Sequence, residues 1–134
     1  MSGSSAGTTS LPLGVLLLSG GHERAHYALV LATGAAAIGR PTILFATNAG
    51  CRLLLRSPPD ELLADPREAA LAARGVAGIG ALLEAAAELG VRRIACEAGL
   101  RAEGIADAPL AEGVEVAGVV TFLGAVGAGQ IVSL

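Results

Sequence analysis

The sequence predicts one α/β domain built on a doubly wound, mostly parallel sheet of five strands with helices on both faces. Short apolar runs alternate with helical stretches along the chain, an order that requires right-handed crossovers between parallel strands. The chain has 134 residues, close to the commonest domain size, so we expect a single domain over residues 11–134. Residues 1–10 are small and polar, which predicts a disordered N-terminal tail.

Five apolar segments are predicted to form the strands. Residues 13–19 and 42–47 are uninterrupted apolar runs, as expected of strands buried on both faces. Residues 91–96, 114–117 and 130–134 complete the sheet. If the first three strands lie in the order 2-1-3, the loops after the second and third strands are two strand spacings, about 10 Å, apart.

Helical patterns fill the intervals between these strands. An Ala-rich helix is expected over residues 23–38 and an amphipathic helix over residues 79–89, each ended by a glycine. The residues Asp-Pro-Arg-Glu at 65–68 indicate a helix start, with Asp as the N-cap and Pro in the first helical position. A short helix follows Cys96, and residues 118–129 are expected to form a buried helix before a buried last strand.

The composition favours an assembly of subunits and disfavours nucleic-acid binding. Hydrophobic residues make up 53% of the chain and charged residues only 16%, against about 25% charged residues in an average domain. A chain with so little polar surface usually buries apolar side chains between subunits, so we expect a homo-oligomer. The net charge is −3, and no basic cluster exceeds the pair Arg92-Arg93, whereas nucleic-acid binding needs a basic face.

Two apolar segments need comparison with membrane elements. Residues 1–21 contain no positive charge before their apolar run and make a poor export signal. Residues 116–134 carry no charge, but their glycines and polar residues fit a helix and a strand better than a membrane span. Two cysteines form neither a disulfide framework nor a zinc knuckle, so a reducing cytoplasm is the expected location.

Residues that could carry chemistry follow the carboxyl ends of the first three strands, where function gathers in open α/β sheets. They are Gly20, Gly21, His22, Asn48, Cys51, Cys96 and Glu97. Cys96 ends a strand and precedes a short helix, whose free N–H groups and dipole would stabilise a thiolate, while Glu97 would oppose it. The alternative is a buried cysteine that packs as a small apolar residue.

The other two groups at this edge are weaker candidates. At two strand spacings Cys51 lies too far from Cys96 for a disulfide, so an inert packed thiol is the preferred interpretation. Gly20 and Gly21 form a strand-to-helix turn that could receive an anion, but no nucleotide-binding pattern accompanies them.

Residues 22–26 read His-Glu-Arg-Ala-His, which matches the pattern in which two histidines bind zinc and the glutamate acts as general base. The match lies in the first turn of a crossover helix, and the chain has no third histidine. The nearest downstream carboxylates, Asp60 and Glu61, lie beyond a Pro-Pro break. An ordinary helix start is the preferred interpretation. A third possibility is that His22 or His26 orients a substrate or steadies the thiolate.

A series of segments in a fixed order covers most of residues 13–134. They are LLLSGG at 16–21, AAAIG at 35–39, TILFATNAG at 42–50, IACEAGL at 94–100, EGI at 103–105 and the closing stretch 114–134. None is specific alone. Together their order and spacing resemble the DsrE/DsrF-like family, including its branch of sulfur-relay and "peroxiredoxin-family" proteins.

The resemblance implies a doubly wound homo-oligomer, a trimer or a hexamer, that exchanges sulfur with donor and acceptor proteins. In such proteins a cysteine after the third strand accepts sulfane sulfur as a persulfide and passes it on, and Cys96 occupies that position. Glu97, Ala98 and Gly99 follow it here, where related sequences often carry Ser or Met. Cys51 matches no family role.

Three functions of different class remain open at this point. The first is a sulfur-relay protein, a sulfurtransferase-like carrier that acts through Cys96. The second is a non-catalytic oligomeric binding or scaffold protein of the same fold, and the third is a zinc-dependent hydrolase that uses His22 and His26. For the first function no cofactor and no metal are predicted.

Overall fold

The computed structural model describes residues 10–134, which form a five-stranded, all-parallel sheet with helices on both faces. The predicted fold class is confirmed. The predicted disordered tail lies outside the described residues except for Ser10, which is exposed. In chain order the strands are β1 (Leu13–Leu17), β2 (Thr42–Ala46), β3 (Arg92–Cys96), β4 (Glu115–Ala117) and β5 (Gln130–Ser133).

Six α-helices and one 3₁₀ helix connect these strands. They are α1 (His22–Ala37), the 3₁₀ helix (Asn48–Leu54), α2 (Asp60–Leu63), α3 (Pro66–Ala73), α4 (Ile79–Glu88), α5 (Glu97–Ala102) and α6 (Val119–Val126). None of the helices within residues 10–134 is long and apolar enough to cross a membrane.

The strand order is β4-β3-β2-β1-β5, so β2 lies between β1 and β3. Leu13 pairs with Thr42 across β1 and β2, and Ile43 pairs with Arg92 across β2 and β3. The expected order 2-1-3 is therefore wrong. All five residues of β2 are buried, and a strand of that composition is best placed where neighbours cover both of its edges and both of its faces.

Alternate strand residues point to opposite sides of the sheet and form two cores. Helix α1 packs on one side with Leu13, Val15 and Leu17 of β1. Helix α6 packs on the other side, where Phe122 stacks on Phe45 with ring centroids 4.8 Å apart. We call these sides the α1 face and the α6 face.

A glycine in β1 allows α6 to lie close to the sheet. A Cβ atom at Gly14 would lie 2.5 Å from Val126 Cγ2 and 2.8 Å from Phe122 Cζ, closer than such atoms can approach. The side chains of α6 therefore fill the space that a larger residue in β1 would occupy.

The last two elements are more exposed than predicted. In α6 only Phe122 and Val126 are buried, and three of the four residues of β5 are exposed. The expectation of a buried helix and a buried strand is wrong, because α6 contacts the sheet on one side only and β5 is an edge strand. The lack of charge in residues 116–134 thus reflects an exposed apolar surface.

The segment between β2 and β3 shows one confirmed helix start and one unpredicted helix. Asp65 caps α3 by accepting a hydrogen bond from Arg67 N at 2.8 Å, and Pro66 is the first helical residue. Helix α2 is unexpected from the sequence, because a Pro-Pro pair usually marks the end of a helix. Pro59 is in fact its N-cap residue, and Asp60 and Glu61 favour the first turn of a helix.

The packing of α6 predicts opposite effects for two glycine substitutions. Gly14→Ala should lower the free energy of unfolding by about 1–3 kcal/mol, since the new methyl group meets Val126 and Phe122. Gly34→Ala, in the exposed interior of α1 with no atom near its Cβ position, should raise it by about 0.4–1 kcal/mol. Urea denaturation measures both values, and a neutral Gly14→Ala would contradict the close contact.

Candidate active site at the carboxyl end of the sheet

Cys96 is the last residue of β3 and the N-cap residue of α5. Its Sγ atom accepts a hydrogen bond from Gly99 N at 3.4 Å. The side chain points to the α6 face with Ile94, two residues before it, and is 7% exposed. The position of this thiol at the end of a strand and the start of a helix agrees with the prediction.

Helix α5 lies directly against the turn that follows β2. A Cβ atom at Gly99 would lie 2.5 Å from Asn48 N and 2.7 Å from Thr47 Oγ1. Asn48 itself has a φ of 51°, a left-handed conformation that asparagine tolerates better than most residues. The glycine and the asparagine together bring Asn48 next to the helix that Cys96 caps.

Cys51 is fully buried in the 3₁₀ helix after β2, and its S–H donates to Ala46 O at 3.5 Å. Burial raises its pKa from 9.0 to about 11, and a hydrogen bond from the backbone of Cys96 offsets part of that rise. Cys51 follows β2 and Cys96 ends β3, and these two strands are neighbours, so the expected separation of two strand spacings is wrong. Both are free thiols, and the raised pKa supports the interpretation of Cys51 as a packed, protonated group.

An ion pair fixes the 3₁₀ helix to α5 beside the two cysteines. Arg52 Nη1 lies 2.5 Å from Glu103 Oε1, and both side chains are about one-third exposed. This pair could not be predicted from the sequence, because Arg52 of the 3₁₀ helix and Glu103 at the end of α5 are 51 residues apart along the chain. Glu97, by contrast, is exposed, and its carboxylate lies 3.9 Å from Arg101 Nη1. An exposed ion pair at this distance contributes little to stability.

The glycines after β1 lie close to the same edge. A Cβ atom at Gly20 would lie 3.0 Å from Ala49 Cβ, so the loop after β1 packs on the turn after β2. Gly21 is the N-cap residue of α1, and its N–H donates to Ser19 Oγ. The structure thus brings Gly20, Asn48 and Cys96 to three adjacent turns at the carboxyl end of the sheet.

The Nε2 atoms of both histidines form hydrogen bonds with other parts of the chain. His22 Nε2 donates to the Glu68 carboxylate of α3 at 2.5 Å, and His26 Nε2 donates to Ala77 O at 2.9 Å. Their rings stack in parallel with centroids 5.8 Å apart. Within residues 10–134 no group of three His, Cys, Asp or Glu side chains is placed to hold a metal ion. These contacts support neither zinc ligation by His22 and His26 nor a contact of either ring with the Cys96 thiol.

The buried thiol of Cys51 should react slowly. In Cys96→Ser only Cys51 remains, and its raised pKa gives a thiolate fraction at pH 8 about a hundredfold below that of an ordinary cysteine. Iodoacetamide at pH 8 should therefore modify the native variant at least about a hundredfold more slowly than the same variant in guanidinium, as followed by mass spectrometry. Equal rates would contradict the buried, protonated state.

The chain is similar to known proteins both in its sequence pattern and in its fold. A family model, the DsrE/DsrF-like family, matches residues 13–133. The YchN protein from E. coli has a similar structure, with a TM-score of 0.70 and 18% identity over 95% of this chain and 100% of that one. So has MTH1491, a protein of unknown function from Methanobacterium thermoautotrophicum, with a TM-score of 0.61 and 18% identity over 93% and 100% of the two chains.

No curated protein sequence matched the chain. At 18% identity the two solved structures show the fold alone. The family model spans nearly all of the described residues, in agreement with the resemblance that the sequence segments carry. The chain belongs to the DsrE/DsrF-like family.

Proposed function

We propose that this protein is a sulfur-relay protein that carries sulfane sulfur as a persulfide on Cys96. The observation that carries the proposal is the Cys96 Sγ atom, which accepts the Gly99 N–H at the carboxyl end of β3. A sulfur that accepts a hydrogen bond keeps that bond as a thiolate and as the inner sulfur of a persulfide. Membership of a family associated with sulfur relay favours the same chemistry.

The transfer consists of two thiol exchange steps without net oxidation. The Cys96 thiolate attacks the sulfane sulfur of a donor persulfide, forming a new S–S bond as the donor's own S–S bond breaks. The donor leaves as a thiolate with the electron pair of the broken bond, and the proton of the Cys96 thiol passes to solvent. An acceptor thiolate then attacks the outer sulfur and releases the Cys96 thiolate.

The surroundings of Cys96 suit a carrier. Cys96 is 7% exposed and packs in the apolar cluster of the α6 face, so a persulfide there would keep its inner sulfur shielded, and its outer sulfur would have to reach the surface to meet an acceptor. Shielding of the inner sulfur slows attack by other thiols, while the outer sulfur stays open to an acceptor.

We also propose that the protein works as a homo-oligomer, a trimer or a hexamer, in a reducing compartment such as the cytoplasm. Apolar residues at least two-fifths exposed lie on α6 and, on the same face of the sheet, on β5: Val119, Val120, Leu123 and Ile131. Such a patch on a charge-free segment is typical of a contact between subunits. Since Cys96 belongs to the same face, a second subunit packed there would lie on the side of the sheet that carries its thiol.

Cys96 should gain one sulfur atom from a donor. Incubation of the reduced protein with polysulfide should add the mass of one sulfur to the native chain and to Cys51→Ser, but not to Cys96→Ser. Intact-protein mass spectrometry measures the gain, and dithiothreitol should remove it. The matched pair of variants separates the two thiols within one fold.

The contrary results are equally distinct. A native chain that gains no sulfur while it remains folded would favour the non-catalytic binding or scaffold protein. Sulfur found on Cys51 in Cys96→Ser would contradict the assignment of the carrier role to Cys96.

Charge on the α6 face should dissociate the assembly. Val120→Asp places a carboxylate on a side chain that is 80% exposed in the single chain but buried in the proposed interface. Light scattering should show a smaller assembly for this variant, with an unchanged circular dichroism spectrum. Ile38→Asp, at an 82% exposed residue beyond the end of α1, is the control and should leave the assembly unchanged.

A further inference from the structure

A cavity of about 270 Å³ separates the start of α1 from α3. Helix α1 contributes His22, His26 and Tyr27 to its wall. Helix α3 contributes Arg67 and Arg74, which lie two turns apart on one face of that helix. The cavity is bounded by α1, whereas Cys96 points to the α6 face, so it is distinct from the proposed persulfide site.

One residue of the cavity wall, His22, has a buried ring nitrogen without a hydrogen-bond partner in the described part of the chain. The His22 side chain is 2% exposed, and its Nδ1 atom has no hydrogen-bond partner among residues 10–134. Glu68 fixes the other ring nitrogen and also accepts the N–H of Ile79 at 3.0 Å. A buried polar atom without a partner is rare and costly in a folded protein, which points to a ligand or water that completes it.

Helix α3 stands away from the core, which leaves room for a ligand. None of its eight residues is buried, and its side-chain connection to the rest of the fold runs through Glu68 to His22 and Ile79. The side of α3 that faces α1 places Leu71 between the two arginines on the cavity wall. An apolar body could therefore pack on Leu71 and Tyr27 while an acidic group meets the guanidinium groups.

The charged groups around the cavity favour an anion of low charge. Arg67 and Arg74 each contribute one positive charge and Glu23, on the same wall, one negative charge, while the nearby Glu68 carboxylate is paired with the His22 ring. The uncapped start of α1 adds the positive end of a 16-residue helix. Guanidinium groups bind carboxylates through paired hydrogen bonds.

We infer that this cavity is a binding site for a small organic carboxylate, with Arg67 and Arg74 binding the acidic group and Tyr27 and Leu71 packing on its hydrocarbon part. The site does not depend on sulfur transfer. Under this inference the His-Glu-Arg-Ala-His stretch at residues 22–26 forms one wall of a ligand-binding site and is not a zinc site.

Benzoate is a suitable probe, with its neutral isostere benzamide and the dianion phenyl phosphate for comparison. In the full chain, benzoate should shift the NMR signals of the His22 ring and the Leu71 methyl groups with a dissociation constant of about 1 mM or tighter. Benzamide should bind at least about tenfold more weakly, because it carries no charge to meet the arginines. Phenyl phosphate should also bind more weakly than benzoate, because Glu23 opposes a second negative charge.

A matched pair of double variants tests the two arginines. Arg67→Gln with Arg74→Gln should weaken benzoate at least about tenfold. Arg24→Gln with Arg101→Gln removes the same charge from exposed residues outside the cavity and should change the affinity by less than about twofold. Cys96→Ser should bind benzoate as the native chain does, so this inference and the persulfide proposal fail separately.

Several results would overturn the inference. They are equal affinity for benzamide and benzoate, tighter binding of phenyl phosphate, an equal effect of the two double variants, and the absence of shifts at His22 and Leu71 with about 10 mM benzoate. All four arginines are exposed in the native chain, so the variants should fold, and circular dichroism checks that they do.

Discussion

The close contact between α5 and the turn after β2 determines the geometry of the whole carboxyl edge. It exists because Gly99 has no side chain, so that Asn48 N and Thr47 Oγ1 occupy the space of a Cβ atom. The same residue donates its N–H to Cys96 Sγ. One glycine therefore both positions the loop beside the thiol and supplies the hydrogen bond that the thiol accepts, and the Arg52–Glu103 ion pair holds the same two segments together.

The two faces of the sheet differ in how completely they are covered. On the α1 face a long helix and several shorter segments enclose a continuous core. On the α6 face one helix of eight residues packs over Gly14 and leaves its outer side chains exposed. Cys96 lies on this less covered side. In the proposed oligomer a second subunit would cover the remaining apolar surface of this face, and with it the side of the sheet that carries Cys96.

The sequence located the elements that a local pattern marks. Apolar runs located all five strands, although β1, β2 and β5 end one or two residues before the predicted ends, and the Asp-Pro pair located the start of α3. Strand order was not predictable, because the order depends on which strand is covered on all sides, and the complete burial of β2 is a tertiary property. The error placed Cys51 too far from Cys96. The contacts of Glu68 were missed for a similar reason, since a capping pattern predicts a local bond and this side chain instead reaches His22 and Ile79.

The directions of two hydrogen bonds distinguish the cysteines, although both are buried. Cys51 donates its S–H to the carbonyl of Ala46, so deprotonation would remove that bond and leave a negative sulfur facing a carbonyl oxygen. Cys96 accepts the N–H of Gly99, a bond that becomes stronger when the sulfur carries negative charge. Burial alone would make either thiol a small apolar residue. At Cys51 burial outweighs the hydrogen bond from the Cys96 backbone and raises the thiol pKa, so the fold favours the thiol form there. Cys96 has the Gly99 N–H as its partner, and the persulfide proposal rests on that contact.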